Sequence, residues 1–471
     1  MTTTGAPRPS TPGAAPKRYG LAWLRDAVDD VARSSPARLA LTAFFTIIMV
    51  FTALLSLPAA REGDDSPEFV DALFTATSAV CVTGLTTVDT SAYWSNFGEA
   101  MILLAIKIGG LGILTLASLL GLAVSRRLGL RQRLLAQSET KALRLGEVGS
   151  LILTIIIAST SIELVLASIL FPRFLAMGEN LPDALWHGVF YAVSSFNNAG
   201  FVSHPGGLPE GAVGDAWLCI PLAVGVFVGS LGFPVLLMVG RSWRRPSEWN
   251  LHTRLTITTS LLLLVAGGLV LGAFEWTNRA TLGSLCVGDR LLATFFMTVM
   301  PRSGGFSTLD VSAMNEGTWL ATDALMFVGG GSASTAGGIK VTTFAILLLA
   351  VVAEARGDDD VETHRRRVPP ATLRLAVTVL LVGATIVLLA TLALLAITDL
   401  SLDKVLFEVI SAFATCGLST GITGGLPDEA KYVLSLLMFA GRTGTMTMAA
   451  ALALRERKKL YRLPEERPIV G

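Results

Sequence analysis

The chain has 471 residues, 52% of them hydrophobic and 15% charged, with a formal net charge of +1. Ordinary soluble domains carry roughly 25% charged residues, so this composition, with a mean hydropathy of +0.62, excludes a soluble globular domain and predicts an all-α polytopic membrane protein. The net charge singles out no partner, because the charges are segregated along the chain, and no nucleic-acid partner is expected. Cys81, Cys219, Cys286 and Cys416 fall in or beside apolar stretches and read as small apolar fillers rather than disulfide partners.

Residues 1–16 are rich in Thr, Pro, Gly and Ala and are expected to be disordered, with no secretory leader. Residues 19–31 fit a short interfacial helix, with Trp23 and Leu24 apolar and Arg25, Asp29 and Asp30 polar. The first run long enough to span a bilayer is 39–57, ended by Pro58. Ser66-Pro67-Glu68 then opens a half-length helix to about residue 79, with Pro in its first turn and an acid at the positive dipole end. A loop, VTGLT, follows, and then a second spanning run, 101–124.

This unit of helix, half-helix, loop and helix recurs. The second copy has 151–171, a half-helix from Pro182-Asp183, and 217–239. The third has 255–274, a start at Asp289, and 321–352; the fourth has 376–396, a start near 401–403, and 432–454. Glu68, Asp183, Asp289 and Asp403 give every half-helix an acid in its first turn. The expected organisation is a cytoplasmic segment 1–38, repeats 39–124, 125–239, 254–352 and 371–454, and a cytoplasmic tail 455–471. That makes eight spanning segments and four re-entrant loops.

The repeat is visible at single residues. Gly84, Gly200, Gly305 and Gly417 each have a Phe ten positions earlier (84−74, 200−190, 305−295, 417−407) and Leu or Phe directly after. A Ser stands six positions earlier in three of the four: Ser78, Ser194 and Ser411. Phe accounts for only 22 residues of the chain, so four hits at one offset mark an internal repeat.

Basic residues set the orientation. They cluster between repeats one and two (Arg126, Arg127, Arg131, Arg133, Lys141, Arg144) and between two and three (Arg241, Arg244, Arg245, Arg254). Others follow repeat three (Arg356, Arg365, Arg366, Arg367, diluted by Asp358, Asp359 and Asp360) and the last helix (Arg455, Arg457, Lys458, Lys459). By the positive-inside rule these segments and both termini are cytoplasmic, and the protein is multi-pass in the cell membrane with its loops entering from outside.

Non-helical backbone at membrane depth is tolerated where it is buried in protein or lines a water-filled cavity. Four equivalent loops therefore predict one pore on a pseudo-fourfold axis. Each half-helix would aim its partially negative C-terminal end inward, and the loop after it would present carbonyl oxygens in place of a cation's hydration shell. The lining segments are Val82-Thr83-Gly84, Asn198-Ala199-Gly200, Ser303-Gly304-Gly305 and Thr415-Cys416-Gly417. None carries a carboxylate or a histidine, which favours a weakly hydrated monovalent cation.

Residues 327–340 read FVGGGSASTAGGIK. Gly329, Gly330, Gly331, Gly337 and Gly338 make a continuous helix costly, at roughly 1 kcal/mol each relative to Ala. This segment, with Ser332, Ser334, Thr335 and Lys340, reads as a gate crossing the pore below the loops. Close packing of small residues between helices is the alternative, and it fits Gly109-Gly110-Leu111-Gly112 and Gly229-Ser230-Leu231-Gly232. Arg442 lies mid-helix at membrane depth, a functional position by default; it either holds the gate loop through backbone carbonyls or places a positive barrier in the pore. Arg302 and Glu408 are expected to pair behind the loops as a brace. Glu163 has no evident partner, and Lys107 lines an inner cavity or snorkels.

The competing class is a membrane enzyme. His187, His204, His252 and His364 show no HExxH spacing, no Gly-x-Ser-x-Gly elbow is present, and the Gly-rich stretch lacks the ending of a phosphate-binding loop. No enzymatic activity is expected, and four repeats sharing one direction argue against an inverted-repeat transporter.

The segments VCVTGLTT, SSFNNAGF, RSGGFST and FATCGLST resemble the filter motifs of the superfamily of microbial and plant potassium transporters that includes TrkH, KtrB and the plant HKT proteins. The resemblance covers about residues 39 to 454. It is strongest to the KtrB type, because one spanning run precedes the first loop. It implies potassium uptake with K⁺ held at the filter residues named above, a glycine in all four loops going with K⁺ preference. It also implies that the Gly-rich segment obstructs the pore and that Arg442 takes part in gating. The expected assembly is a homodimer docked on a cytoplasmic ring of RCK-type, KtrA-like nucleotide-binding subunits. ATP, ADP or NAD(H) would then act on that partner, with no cofactor in this chain. The basic loops and tail are contact surfaces for the ring or for anionic lipid. A TrkH-like or Na⁺-coupled monovalent cation transporter is the nearest alternative.

Overall fold

The computed structural model describes residues 36–63, 65–127 and 148–444. The expected interfacial helix 19–31 and the tail 455–471 lie outside the described residues, as does most of the basic stretch between repeats one and two.

Among the described residues, fourteen α-helices are ten residues or longer. They are α1 (Pro36–Leu55), α2 (Phe69–Val80), α3 (Asn96–Arg127), α4 (Val148–Ala176), α5 (Leu181–Phe196), α6 (Ala216–Leu231) and α7 (Phe233–Ser242). Then come α8 (Leu251–Glu275), α9 (Val287–Val299), α10 (Glu316–Phe327), α11 (Val341–Arg356), α12 (Pro370–Ile397), α13 (Leu402–Phe413) and α14 (Asp428–Phe439). A π turn, Ala440–Gly444, continues α14. Two-residue strands at Glu362–Thr363 and Arg366–Arg367 form a small hairpin.

The four short helices α2, α5, α9 and α13 start where the Pro and acidic signals predict. In α2 the detail differs: Glu68 is the N-cap without a side-chain cap bond, and the acid of the first turn is Asp71. Each short helix packs beside longer ones. The inner helix of each unit also packs on the short helix of the next: α3 on α5, α6 on α9, α10 on α13 and α14 back on α2. The order closes on itself.

Among the described residues, Ile152–Ala176, Leu251–Glu275 and Pro370–Ile397 are long and apolar enough to cross a membrane, and the pair α6–α7 makes a fourth if counted as one span. That pair corrects one expectation. The run 217–239 is not one helix: it bends by 102° at Gly232, whose φ of +92° a side chain rarely adopts. Pro234 then opens α7 in its first turn. The run 321–352 is interrupted, as expected, by the non-helical stretch 328–340 between α10 and α11.

Candidate functional site

The glycine loops share one backbone design. Val82, Asn198, Ser303 and Thr415, each two residues before its glycine, have positive φ of 54°, 60°, 73° and 47°. Gly84, Gly200, Gly305 and Gly417 follow at 95°, 67°, 74° and 94°. A left-handed non-glycine residue costs about 1–2 kcal/mol, and β-branched Val and Thr tolerate it poorly. Four such costs at one position mean that the surroundings impose the loop shape.

The loops meet. A Cβ on Gly84 would lie 2.3 Å from the Ala199 carbonyl oxygen, one on Gly200 2.7 Å from Gly305 Cα, one on Gly305 2.8 Å from the Cys416 carbonyl oxygen, and one on Gly417 2.2 Å from the Thr83 carbonyl oxygen. Each glycine therefore touches the next loop, and the fourth touches the first. Val82, Thr83, Asn198, Ala199, Ser303, Thr415 and Cys416 are buried in this ring, with Gly304 buried beside them.

The recurring serine has a mechanical task. Ser78 Oγ accepts from Gly84 N–H and Ser411 Oγ from Gly417 N–H, both at 3.1 Å. Their carbonyls, with that of Ser194, each accept at 2.8 Å from the residue before the glycine. In the third unit the serine is replaced by Val299, and the short helix ends six residues before Gly305 instead of four. The Phe repeat slips with it. Phe74, Phe190 and Phe407 are fully buried, but Phe295 is 39% exposed and its neighbour Phe296 takes the buried position.

The Gly-rich stretch packs against the ring. It is held by backbone bonds to the broken helix α6: Gly331 N–H to Ser230 O at 2.7 Å, Thr335 N–H to Gly229 O, and Phe233 N–H back to Ala333 O. It also touches the ring. Thr335 Oγ1 donates to Asn198 Oδ1 at 2.9 Å, and Gly337 N–H to Ser303 Oγ at 3.3 Å, while Ser303 Oγ–H donates to Thr415 O at 2.6 Å. A Cβ on Gly329, Gly330, Gly331 or Gly337 would collide with neighbouring backbone or side chains; Gly338 has φ of +66°. Ser334 Oγ–H caps Gly331 O, Ser332 bonds Thr342, and Lys340 Nζ holds Ala336 O at 2.6 Å. Arg442, 2% exposed, donates from Nη1 to Thr335 O. Its Nε and Nη2 have no hydrogen-bond partner among the described residues.

The two remaining charges do not pair, contrary to expectation. Arg302 reaches back to α8, donating to Ser260 O at 3.0 Å and Ser260 Oγ at 2.9 Å. Glu408 turns to the loop after its own glycine, accepting from Ser419, from Thr420 N–H at 3.1 Å and from Thr423 Oγ1 at 3.1 Å. Each charge bonds within its own unit, and Arg302 Nε has no hydrogen-bond partner among the described residues.

Further contacts join separate elements, and the small-residue packing expected at Gly109 and Gly229 is among them. Lys107 of α3 pairs with Glu163 of α4, whose other oxygen accepts from Asn197 Nδ2 at 2.8 Å. Lys431 of α14 contacts Asp71 of α2 at 3.3 Å. Gly109, Gly229 and Gly441 admit the last carbonyls of three short helices: an added Cβ would lie 2.0 Å from Val80 O, 2.0 Å from Phe196 O and 1.8 Å from Phe413 O. Asp89 ties two outer loops. Burial pushes its carboxyl up, but N–H donation from Gly206, Ala92 and Ser91 outweighs that and holds it below the usual range.

The family profile described as "TrkH: Cation transport protein" matches residues 21–462. The chain belongs to this cation-transport family. It is 36% identical over 447 residues to the Ktr system potassium uptake protein B of Bacillus subtilis (strain 168), covering 95% of this chain and 99% of that protein. It is 34% identical over 457 residues to the protein of the same name from Vibrio alginolyticus, covering 96% and 98%. The KtrB-type affinity read from the single run before the first loop agrees with both, and these relatives are transport proteins rather than enzymes. Among solved structures, the potassium transporter TrkH from Vibrio parahaemolyticus superposes with a TM-score of 0.67 at 18% identity, covering 87% of this chain and 84% of that one. The fold is therefore that of a TrkH-family membrane transporter.

Proposed function

We propose that this TrkH-family protein takes up potassium through a selectivity filter formed by Val82-Thr83-Gly84, Asn198-Ala199-Gly200, Ser303-Gly304-Gly305 and Thr415-Cys416-Gly417. The observation that carries the reading is the closed contact of the four glycine loops, each at the C-terminal end of a short helix. Backbone oxygens there replace a weakly hydrated cation's water without the charge a divalent ion demands. The four units form one pore on a pseudo-fourfold axis. Residues 329–340 are its gate, kept shut by the bonds to the ring and by Arg442; Arg302 and Glu408 support the filter from separate networks. Both termini face the cytoplasm. The chain works as a homodimer on an RCK-type ring, which carries the nucleotide. The resemblance of the loop motifs to the KtrB type supports this assembly.

The test is K⁺-selective flux in liposomes containing only this chain, comparing K⁺ with Na⁺ and wild type with Gly84→Ser. Flux that prefers K⁺ and loses the preference in the variant is the expected result. Flux indifferent to the ion and to Gly84 would overturn the filter.

A further inference from the structure

Glu179 follows α4, His187 lies on α5, and His204 stands four residues after Gly200. Far apart in pattern, they meet in space. Glu179 Oε2 is 2.7 Å from His187 Nδ1, and Oε1 is 2.9 Å from His204 Nε2. The ligand atoms of the three all lie within 4.8 Å of one another.

We propose that Glu179, His187 and His204 form a binding site for a divalent transition-metal ion of the Zn²⁺ class. Two imidazoles and a carboxylate are a donor set that Zn²⁺ accepts, at about 2.0–2.2 Å from each atom. Ligand atoms around such an ion stand about 3.3 Å apart in a tetrahedron, so the 2.7 and 2.9 Å contacts lengthen by about half an ångström to take it. The surroundings also orient one of the rings. Tyr191 Oη lies 2.9 Å from His204 Nδ1. In the tautomer where Nδ1–H donates to that hydroxyl, Nε2 is a lone pair aimed at the carboxylate oxygen, and a cation belongs between the two acceptors. Outer hydrogen bonds of this kind fix ligand orientation. Phe174 stacks on His204 and meets His187 edge-on, at 5.6 and 5.7 Å between centroids, walling one side with hydrocarbon. The three side chains keep 15% to 19% exposure, which leaves a path for an ion and room for water as a fourth ligand. None of the three is a proposed filter residue, and the site does not depend on what the filter conducts.

The experiment is metal binding by the purified, metal-stripped full chain. Zn²⁺ is titrated against a chromophoric chelator at neutral pH, and Co²⁺ is titrated separately for its visible ligand-field bands. The expected result is one ion per chain, with affinity falling about tenfold or more in Glu179→Gln, His187→Gln and His204→Gln and unchanged in His364→Asn. The Co²⁺ spectrum of the wild type needs no variant to fold: absence of four- or five-coordinate bands overturns the site. Stoichiometric binding that survives all three substitutions overturns it equally.

Discussion

Arg442 Nη1 donates to the carbonyl of Thr335, joining the last described turn of the fourth unit to the middle of the Gly-rich stretch in the third. The bond crosses from the π turn Ala440–Gly444 to a segment that also touches Asn198 and Ser303. A buried charge-assisted bond contributes about 1.5–3 kcal/mol. If it holds the gate shut, Arg442→Ala shifts the gate by roughly 10- to 100-fold toward open, at 1.4 kcal/mol per tenfold. K⁺ flux in liposomes is expected to rise by a large part of that. Unchanged flux in a correctly folded Arg442→Ala protein would remove Arg442 from gating.

Gly84 makes the second prediction. Its φ of +95° and the 2.3 Å approach of a Cβ to Ala199 O leave no room for a side chain. Gly84→Ser must push the first loop off the second, at a cost of at least about 1–2 kcal/mol for the left-handed backbone. The K⁺-over-Na⁺ preference is expected to fall about tenfold, read as the ratio of flux with each ion. Gly206, also at positive φ but with nothing within 4 Å of its Cβ, serves as the control: Gly206→Ser leaves the ratio unchanged.

The serine brackets can be tested without touching the loops. Ser411→Ala removes the acceptor for Gly417 N–H and leaves a part-buried donor unmade, which costs about 1 kcal/mol, the low end of the range for a buried one. The expected result is a lower melting temperature and reduced K⁺ preference. Ser194 differs: its hydroxyl donates to Phe201 O and accepts nothing from Gly200 in the described bonds. Ser194→Ala should therefore lower stability with a smaller change in selectivity. Equal selectivity losses in both variants would refute the bracket.

These residues show why part of the site was readable and part was not. The glycine and the following Leu or Phe recur because each does a fixed task at a fixed offset, as the serine does in the first and fourth units, and period alone finds them. Leu85, Phe201, Phe306 and Leu418 are all 2% exposed or less. The Phe offset misleads in the third unit, because Met300 and Pro301 sit where the other short helices still have their last residues; an offset counts residues, not helix faces. Gly232 was read as packing because a glycine that breaks a helix and one that lets helices touch look alike in sequence. Arg302 and Glu408 were paired by charge alone, although a buried charge can be satisfied by hydroxyls and backbone amides. Lys107 with Glu163, and Glu179 with two histidines, come from separate elements whose proximity only the fold supplies.

Lys107 and Glu163 carry the last prediction. Their side chains are 22% and 6% exposed, and Asn197, the C-cap of α5, hangs on the same carboxylate. The pair thus links α3 and α4 to the root of the second glycine loop. Removing one partner of a buried pair costs about 3–5 kcal/mol, because the other charge is left in place. Lys107→Met strands Glu163, and Glu163→Gln leaves Lys107 without its anion, held only by Ser159 Oγ at 3.2 Å and Thr160 Oγ1 at 3.4 Å, while sparing the Asn197 bond through an amide oxygen. The double variant strands neither. Each single variant is expected to lower the melting temperature markedly, and the double variant to regain most of the loss, a coupling visible in a double-mutant cycle. Lys107→Met should disturb ion preference more than Glu163→Gln, since a stranded carboxylate draws on Asn197, next to Asn198. Additive losses in the cycle would mean that the two side chains act separately.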